Sequence, residues 1–423
     1  MKHAIVIGCH VSGLGVVRAL GRMGVPVVAV SYESSDIAQH SRYVSEAVQA
    51  PHPTNERDAF VRFLLENAHH WPEAVLFDTD DHAAVAISQN KATLAKHYKI
   101  AAEDWDKMRL FIEKRETYRL AEKCGVPFPK SWRPCSIVEL RRIKDALSFP
   151  CILKPVEGHL FKKAFNAKVF QANNFEECER KFALCLEAGV EVIVQEIIPG
   201  DDDAIYKMLT YVNSRGEMSN SFFYRKLRQN PPQFGVMRVG VSEPRNPEVE
   251  LLSKRLLKAA GLQGLCNVEF KKDARDGKLK LIEVNVRANR TNLLATTCGA
   301  NFPWMIYLDL AEKTEVTVKN YKAGVYWIEF YADLFNALLR RRRDQNAWRD
   351  YFTPYLANNK IFAVLAGDDM KPFLKETLAL PHIFWRNARP VLVKLTARIR
   401  SFFAPRRNAE KTFPLDHTLT RKA

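Results

Sequence analysis

Short apolar runs rich in β-branched residues alternate with longer stretches whose apolar positions recur every three or four residues. Residues 4–7 (AIVI) read as a buried strand, with Gly8, Gly13 and Gly15 after it. A helix fits Leu14 to Met23, Gly24 ends it, and VPVVAVS (25–31) reads as a second strand. Strand, glycine turn, helix and strand make a βαβ unit, the building block of a parallel sheet. A helix over 55–69 with Phe60, Phe63 and Leu64 on one face, a strand at AVLFDTDD (74–81) and a helix over 83–96 continue the pattern. Residues 1–110 are therefore expected to form one α/β domain.

Beyond residue 110 the order of elements changes. The stretch 110–131 reads as one helix ending at Cys124-Gly125-Val126-Pro127. A strand follows at FPCILKP (149–155), a helix at 175–187, and a strand, EVIVQEIIPGDDD (191–203), that runs into an acidic turn. Strands at 204–213 and 219–228 precede a helix over 247–260. GLCNVEFKK (264–272) and KLKLIEVNV (278–286) read as paired strands about an Asp276-Gly277 turn, and a helix over 303–312 follows. The pattern is less legible over 316–423.

Composition narrows the class. The 423 residues are 47% hydrophobic and 26% charged, too apolar for a disordered chain. No apolar run approaches the ~20 residues that span a bilayer. The N-terminal run is broken by Gly8, Cys9 and His10, which fits a first strand better than a signal peptide. Eight scattered cysteines with no CxxC pair point to free thiols in a reducing compartment, and a cytoplasmic location is expected. The net charge of +16 is concentrated near the end, where residues 340–423 hold 18 Lys+Arg against 7 Asp+Glu. Within 382–407, Leu392, Leu395, Ile399 and Phe402 share one helical face among arginines. Such a helix either docks on the body or lies on an anionic membrane surface; nucleic acid is the least favoured partner.

The first glycine turn is neither a G-x-G-x-x-G nor a P-loop, so a tight turn packing helix on sheet accounts for it, despite Glu33 after the second strand. Other positions carry more chemistry. Lys154 lies in an otherwise apolar strand, a costly placement unless it meets an anion. Gln195 and Glu196 end a β-branched strand before Pro199-Gly200 and three aspartates. Glu283 and Asn285, two residues apart, face the same side of their strand, and Glu269 can lie across from them. Two carboxylates and an amide carbonyl are hard oxygen ligands suited to Mg²⁺. Val284 and Val286 then point into a core, and Arg287 returns to the metal side.

The order Lys, Gln-Glu at a strand end, Glu, and Glu-x-Asn-x-Arg resembles the ATP-grasp family over residues 1–315, in particular its carboxylate–amine ligases of the D-aspartate ligase-like kind. The resemblance implies a fold that is α/β overall and α+β within the ATP-grasp lobes. It would comprise an N-terminal parallel Rossmann-like domain (1–110), a small lobe (111–192), a large lobe with the metal site (193–315) and a basic, mostly helical C-terminal extension (316–423). Cofactor-binding residues would be Lys114 and Lys154 on the phosphates, Gln195 with the backbone of Glu196 and Ile198 on adenine, and Asp202 or Asp203 on ribose. Glu269, Glu283 and Asn285 would hold Mg²⁺ or Mn²⁺. Arg287 would stabilise an acyl phosphate, with Arg225 and Lys226 as candidates for the γ-phosphate or the substrate carboxylate. Asp80, Asp81, Arg238 and Arg290 are candidates for substrate contact. The family's glycine-rich phosphate loop is replaced by VEGHLFKKAFNAKVF, where Lys162, Lys163 and His159 could supply charge instead. The implied activity is ATP-dependent joining of a small-molecule carboxylate to an amine. The alternatives are an ATP-grasp phosphotransferase and a non-catalytic nucleotide-binding protein with a membrane-surface tail. A homodimer and a peripheral position at the inner membrane face are further expectations.

Overall fold

The computed structural model describes residues 1–380 apart from 157, 168, 231–232, 319 and 341–346. The basic segment 382–407 lies outside the described residues. No described helix is long and apolar enough to cross a membrane.

The N-terminal sheet contains β1 (Ala4–Ile7), β2 (Val27–Ser31), β3 (Val44–Gln49), β4 (Val75–Asp78) and β5 (Lys99–Ile100), with α1 (Val11–Gly21), α2 (Arg57–Glu66), α3 (Asp81–Gln89) and α4 (Lys91–Leu94) between them. All pairs are parallel and the order is β3-β2-β1-β4-β5. Strand order therefore reverses between β1 and β4, which opens a crevice at their carboxyl ends. Helix α1 begins at Val11, so Gly13 and Gly15 lie inside it. A Cβ on Gly13 would stand 2.1 Å from the Gly8 carbonyl oxygen, so close packing of helix on strand explains this glycine.

The expected single helix over 110–131 is two, α5 (Trp105–Ile112) and α6 (Lys114–Lys123), broken by the extended residue Glu113. A small antiparallel sheet follows, in the order β6-β9-β7-β8, from β6 (Ser131–Trp132), β7 (Cys151–Pro155), β8 (Phe170–Ala172) and β9 (Val192–Glu196). Helix α7 (Ile137–Arg142) and α9 (Phe175–Glu187) pack with it. The segment expected to form a phosphate loop folds instead as α8 (Gly158–Phe165), because fully buried Phe161 anchors it against Phe165 and Phe170. The small lobe has its own core, in which Leu153, Phe182 and Val194 join Phe161.

The large sheet has the order β14-β13-β10-β11-β12-β15-β16. It comprises β10 (Ile205–Val212), β11 (Met218–Asn230), β12 (Val236–Glu243), β13 (Gly264–Lys272), β14 (Leu279–Asn285), β15 (Tyr326–Ile328) and β16 (Lys360–Phe362). Helix α10 (Pro247–Ala260) has an Asn246 side-chain cap, a first-turn proline and a left-handed Gly261 at its end, the signals that make it legible from sequence. Helices α11 (Asn292–Thr297) and α12 (Phe302–Tyr307) pack on α1, and the rest of the expected 303–312 helix is a π-turn. Helices α13 (Phe330–Arg340) and α14 (Ala347–Leu356) lie between β15 and β16 in the chain. Strands from the region beyond 316 thus complete the large sheet. The N-terminal domain and the large sheet share continuous cores, in which Leu76 and Ile87 join Val268 and Leu281.

Candidate active site

Three regions converge on one place: the free end of β13 and β14, the crevice between β1 and β4, and the start of α6. Glu269 pairs directly with Glu283, and Asn267 with Asn285. The register slips by one after Glu269, so Ile282 is an extra residue in β14. This bulge changes which face each side chain takes. Leu279 and Leu281 before it, and Val284 and Val286 after it, all enter the same core. Strict alternation would have placed Glu283 beside Leu281; the bulge lets Glu283 and Asn285 face the cavity instead.

Like charges directly opposed across strands repel, and buried lysines offset that here. Glu269 is ion-paired with Lys207 and lies 3.1 Å from Lys226. Burial opposes its charge, yet Lys207 and Lys226 hold its carboxyl below the usual carboxylate range. Glu283 is also pushed down strongly, with Lys114 and Lys207 outweighing burial, and it accepts a 3.0 Å hydrogen bond from the Asn285 amide. Lys154 on β7 and Lys114 at the start of α6 interact with each other. Burial, then the neighbouring Lys114 charge, push Lys154 down to about 7. Burial works against Lys114 as well, but Glu283 and Tyr118 keep its pKa above the ordinary value. A lysine in the first turn of a helix also opposes the helix dipole. Two half-buried lysines held side by side form a cradle for a polyanion.

The crevice of the N-terminal sheet supplies the facing wall. A cavity of about 410 Å³ is lined by Glu269, Glu283, Asn285 and Arg287 on one side and by His10 and Asp80 on the other. Of the strand-end acids, Asp81 makes a two-point ion pair with Arg287, at 2.6 and 3.2 Å. Arg287 also reaches Asn285 Oδ1 at 3.4 Å. Asp78 is buried, its Oδ2 lacks a hydrogen-bond partner among the described residues, and burial pushes its pKa up to about 7. Asp80 caps α3 through Ala83 N at 3.0 Å.

Several expected contacts are placed differently. Arg225 does not line the cavity: it pairs with Glu243 at 2.8 Å and approaches Asp203 at 3.6 Å, because the pleat turns it away from the face that carries Lys226. The Asp202 carboxylate accepts from Gln229 N and Nε2 and from Gln233 N, so it ties down the β11–β12 connection. Gln195 donates to the Tyr118 hydroxyl at 3.0 Å and to Ser131 Oγ at 2.8 Å. The Glu196 carboxylate accepts from Lys130 N and from Arg275, and its backbone N–H donates to Lys130 O at 3.0 Å. Ile198 is buried close to this strand end. Arg290 lines the cavity, and both it and Arg238 donate to Glu329 at 2.7 Å. The sequence reading missed Lys207, although a lone lysine in the apolar strand IYKMLTYV carries the same signal as Lys154.

Two carboxylates and an amide, rather than three acids, make this donor set, and no group of three His, Cys, Asp or Glu suited to a metal occurs among the described residues. That composition fits Mg²⁺, which binds through one or two carboxylates plus substrate phosphates rather than in an all-protein cage.

Residues 240–330 match the family model described as ATP-grasp in the biosynthetic pathway with Ter operon. The chain is 27% identical over 286 residues to the D-aspartate ligase of Enterococcus faecium (strain Aus0004), covering 64% of this chain and 68% of that protein. In structure it is similar to N5-carboxyaminoimidazole synthetase from Staphylococcus aureus, with a TM-score of 0.62, 12% identity and coverage of 81% and 85% of the two chains. It is also similar to L-amino acid ligase from Bacillus licheniformis, with a TM-score of 0.55, 16% identity and coverage of 73% and 74%. The fold is that of these solved structures, and the sequence matches are to an ATP-grasp family model and to a ligase.

Proposed function

We propose that the protein uses ATP to activate a small-molecule carboxylate as an acyl phosphate and joins it to an amine. The observation that carries this reading is the pairing of opposite charge at one end of the large sheet. Lys114 and Lys154 form a cationic cradle, and Glu269, Glu283 and Asn285 form an oxygen-donor set within electrostatic reach of it. ATP carries both the polyanion the lysines require and the phosphate oxygens that would complete a Mg²⁺ shell on the three donors. Bound there, Mg²⁺ would neutralise charge developing on the phosphates.

The residues of the chain hold and orient. Lys114 and Lys154 fix the phosphates, and the backbone at Glu196 and Ile198 with the Gln195 amide oxygen receives the adenine edge. Asp203, in the turn that follows that strand, takes ribose, because its contact with Arg225 is a loose 3.6 Å whereas Asp202 is hydrogen-bonded to Gln229 and Gln233. Lys226 faces the γ-phosphate end of the cavity. Arg287, locked by Asp81, presents its guanidinium where the acyl phosphate forms and stabilises its charge without reorganising. The carboxylate oxygen attacks the γ-phosphorus and ADP leaves; the amine nitrogen then attacks the acyl carbon and inorganic phosphate leaves. No side-chain nucleophile is needed. The relatives named D-aspartate ligase and L-amino acid ligase support amino acids as a first substrate panel.

The test is release of ADP and phosphate from Mg-ATP in the presence of pooled amino acids, dipeptides and small carboxylates, with Glu283→Ala as the blank. Pool-dependent release, with a product whose mass is that of the two joined substrates less one water, is expected. Equal release by wild type and blank across all pools would overturn the assignment.

A further inference from the structure

Resting on the ligase reading, we infer that Arg290 is a second guanidinium on the reacting carboxylate, and that Glu329 is the positioning residue that aims it. Arg290 lies in the connection between β14 and α11, is half-buried and lines the cavity. Glu329 follows β15 directly and is buried. Its carboxylate spans two guanidiniums: Oε1 accepts from Arg290 Nη1 and Oε2 from Arg238 Nη1, both at 2.7 Å. Glu329 thereby ties β12, which carries Arg238, to the connection that carries Arg290.

The frame around Glu329 fixes its place. The β12–β15 ladder pairs Val239 with Ile328, and one step further the Glu329 backbone N–H donates to Arg238 O at 2.9 Å. Backbone and side chain of Glu329 therefore hold the same arginine. Arg238 is passed over in the β11–β12 ladder, where Arg228 opposes Val239 and Gln229 opposes Met237. One helical turn on, the Asp333 backbone N–H donates to Glu329 O at 2.9 Å. Asp333 is fully buried and accepts from both Nε and Nη2 of Arg228 on β11, at 2.9 and 2.8 Å. Tyr355 donates to the same carboxylate at 2.8 Å, and the Tyr351 ring centre lies 4.3 Å from the Arg228 guanidinium. Two-point pairing and stacking restrict a guanidinium more than one hydrogen bond does, so the start of α13 is anchored on β11 and Glu329 with it.

An unrestrained arginine samples many rotamers, and ordering it on a substrate costs free energy. Glu329 removes that freedom beforehand through one Nη1, and it leaves N–H donors of the same guanidinium for an anion in the cavity. Arg287, held by Asp81, lines the same cavity. A carboxylate lying between Arg287 and Arg290 has its charge offset by both while its oxygen attacks the γ-phosphorus. Removing the Glu329 charge therefore acts on binding and on rate in opposite directions. Positive charge near the cavity rises, which favours an anion, whereas the aim of Arg290 is lost, which slows the reaction.

Hydroxylamine traps an acyl phosphate as a hydroxamate without any acceptor amine, so it reads this step alone. The probes are the amino acids, dipeptides and small carboxylates of the same panel, taken singly with Mg-ATP. Glu329→Gln keeps the size of the side chain and removes its charge. It should lower kcat for hydroxamate formation about 10- to 100-fold, the worth of a hydrogen bond between charged groups. KM for the acid should stay the same or fall, and Mg-ADP affinity should change little. Glu329→Asp keeps the charge, which protects the fold, but draws it back by one methylene; its kcat should fall as well. Arg290→Gln combined with Glu329→Gln should be no slower than Arg290→Gln alone, because Glu329 acts through Arg290. Additive losses in the double variant would overturn the inference alone. So would wild-type kcat in both Glu329 variants, or a loss of kcat matched by an equal loss of Mg-ADP affinity. No ATP-dependent hydroxamate from any acid, with Mg-ADP still bound by wild type, would overturn the ligase reading and the inference with it.

Discussion

Glu269 on β13 and Glu283 on β14 stand opposite one another across an antiparallel ladder, and β14 has one residue more than its partner at that point. Ile282 is the extra residue. It lets the leucines before it and the valines after it share one core while the acids between them face the cavity. Repulsion between the two carboxylates is offset by Lys207, Lys226, Lys114 and Lys154. Each charge in the set therefore depends on the others.

Deleting Ile282 removes the extra residue and makes Leu281 and Glu283 strand neighbours, so a regular ladder keeps Phe270 opposite Leu281 and Glu269 opposite Glu283 with the same faces. The deletion should therefore retain ADP release. Exchanging the next two residues, Glu283→Val with Val284→Glu, puts a carboxylate in the core and an apolar residue in the cavity. A carboxylate without its lysines in an apolar core costs several kcal/mol, so the exchange should remove activity and lower the midpoint of urea unfolding. An exchange variant with wild-type turnover would mean that the face taken by Glu283 does not set the site.

Glu283→Gln keeps the size of the side chain and removes one preorganised charge. By the measured cost of losing one such group, kcat for ADP release should fall by about 100-fold or more, on the order of 2.7–4 kcal/mol. Nucleotide binding should fall less, because Lys114 and Lys154 remain. Full turnover in this variant would remove Glu283 from the proposed metal set.

Arg18 and Asp369 form a fully buried ion pair at 3.0 Å between α1 and the segment after β16. Asp369 also accepts from Ser41 Oγ at 2.7 Å and from Arg42 N at 2.9 Å. Removing one partner of such a pair costs ~3–5 kcal/mol because the other charge is left buried alone. Asp369→Ala should therefore show a loss of that size in chemical denaturation. A matched apolar pair, Arg18→Met with Asp369→Leu, should recover part of it. Equal stability of Asp369→Ala and wild type would show that this contact does not hold the later segment to the body.

The parts of this site that could be read from sequence are those where a charged or amide side chain interrupts an apolar strand. Lys154, Glu269, Glu283 and Asn285 qualify because burial makes such residues expensive without a purpose. Lys207 met the same criterion and was passed over. Arg225 and Lys226 are separable by the period of two, since neighbours on a strand point opposite ways. The βαβ unit and α10 were legible from glycine, proline and capping residues. The bulge was not, because it is a property of two strands in register and neither sequence alone contains it. Helix α8 was hidden by the resemblance to a loop, although Phe161, Phe165 and Phe170 supplied a reason to fold. Strands β15 and β16 are only three residues each, too short for any periodicity to show.

Lys154 gives the site a pH dependence whose sign can be worked out. Its folded pKa is lowered from 10.5 to about 7 by burial and then by Lys114. Between those values the unfolded chain binds more protons than the folded one, so this lysine makes stability rise with pH across that window; its destabilising effect is complete below about 7. A bound polyphosphate reverses the bias, since a nearby negative charge favours the protonated lysine. Binding of ADP should therefore be accompanied by uptake of close to one proton at about pH 8 and by little uptake at about pH 6, with affinity falling as pH rises through this range. Titration calorimetry in buffers of different ionisation enthalpy measures the uptake directly. Lys154→Met should abolish the buffer dependence at the higher pH and weaken binding most at the lower one, where the wild-type lysine is already charged. Heats independent of buffer at both pH values in the wild type would mean that Lys154 stays protonated in the free enzyme. The cradle would then be cationic throughout, with Glu283 and Glu269 alone offsetting its charge before nucleotide arrives.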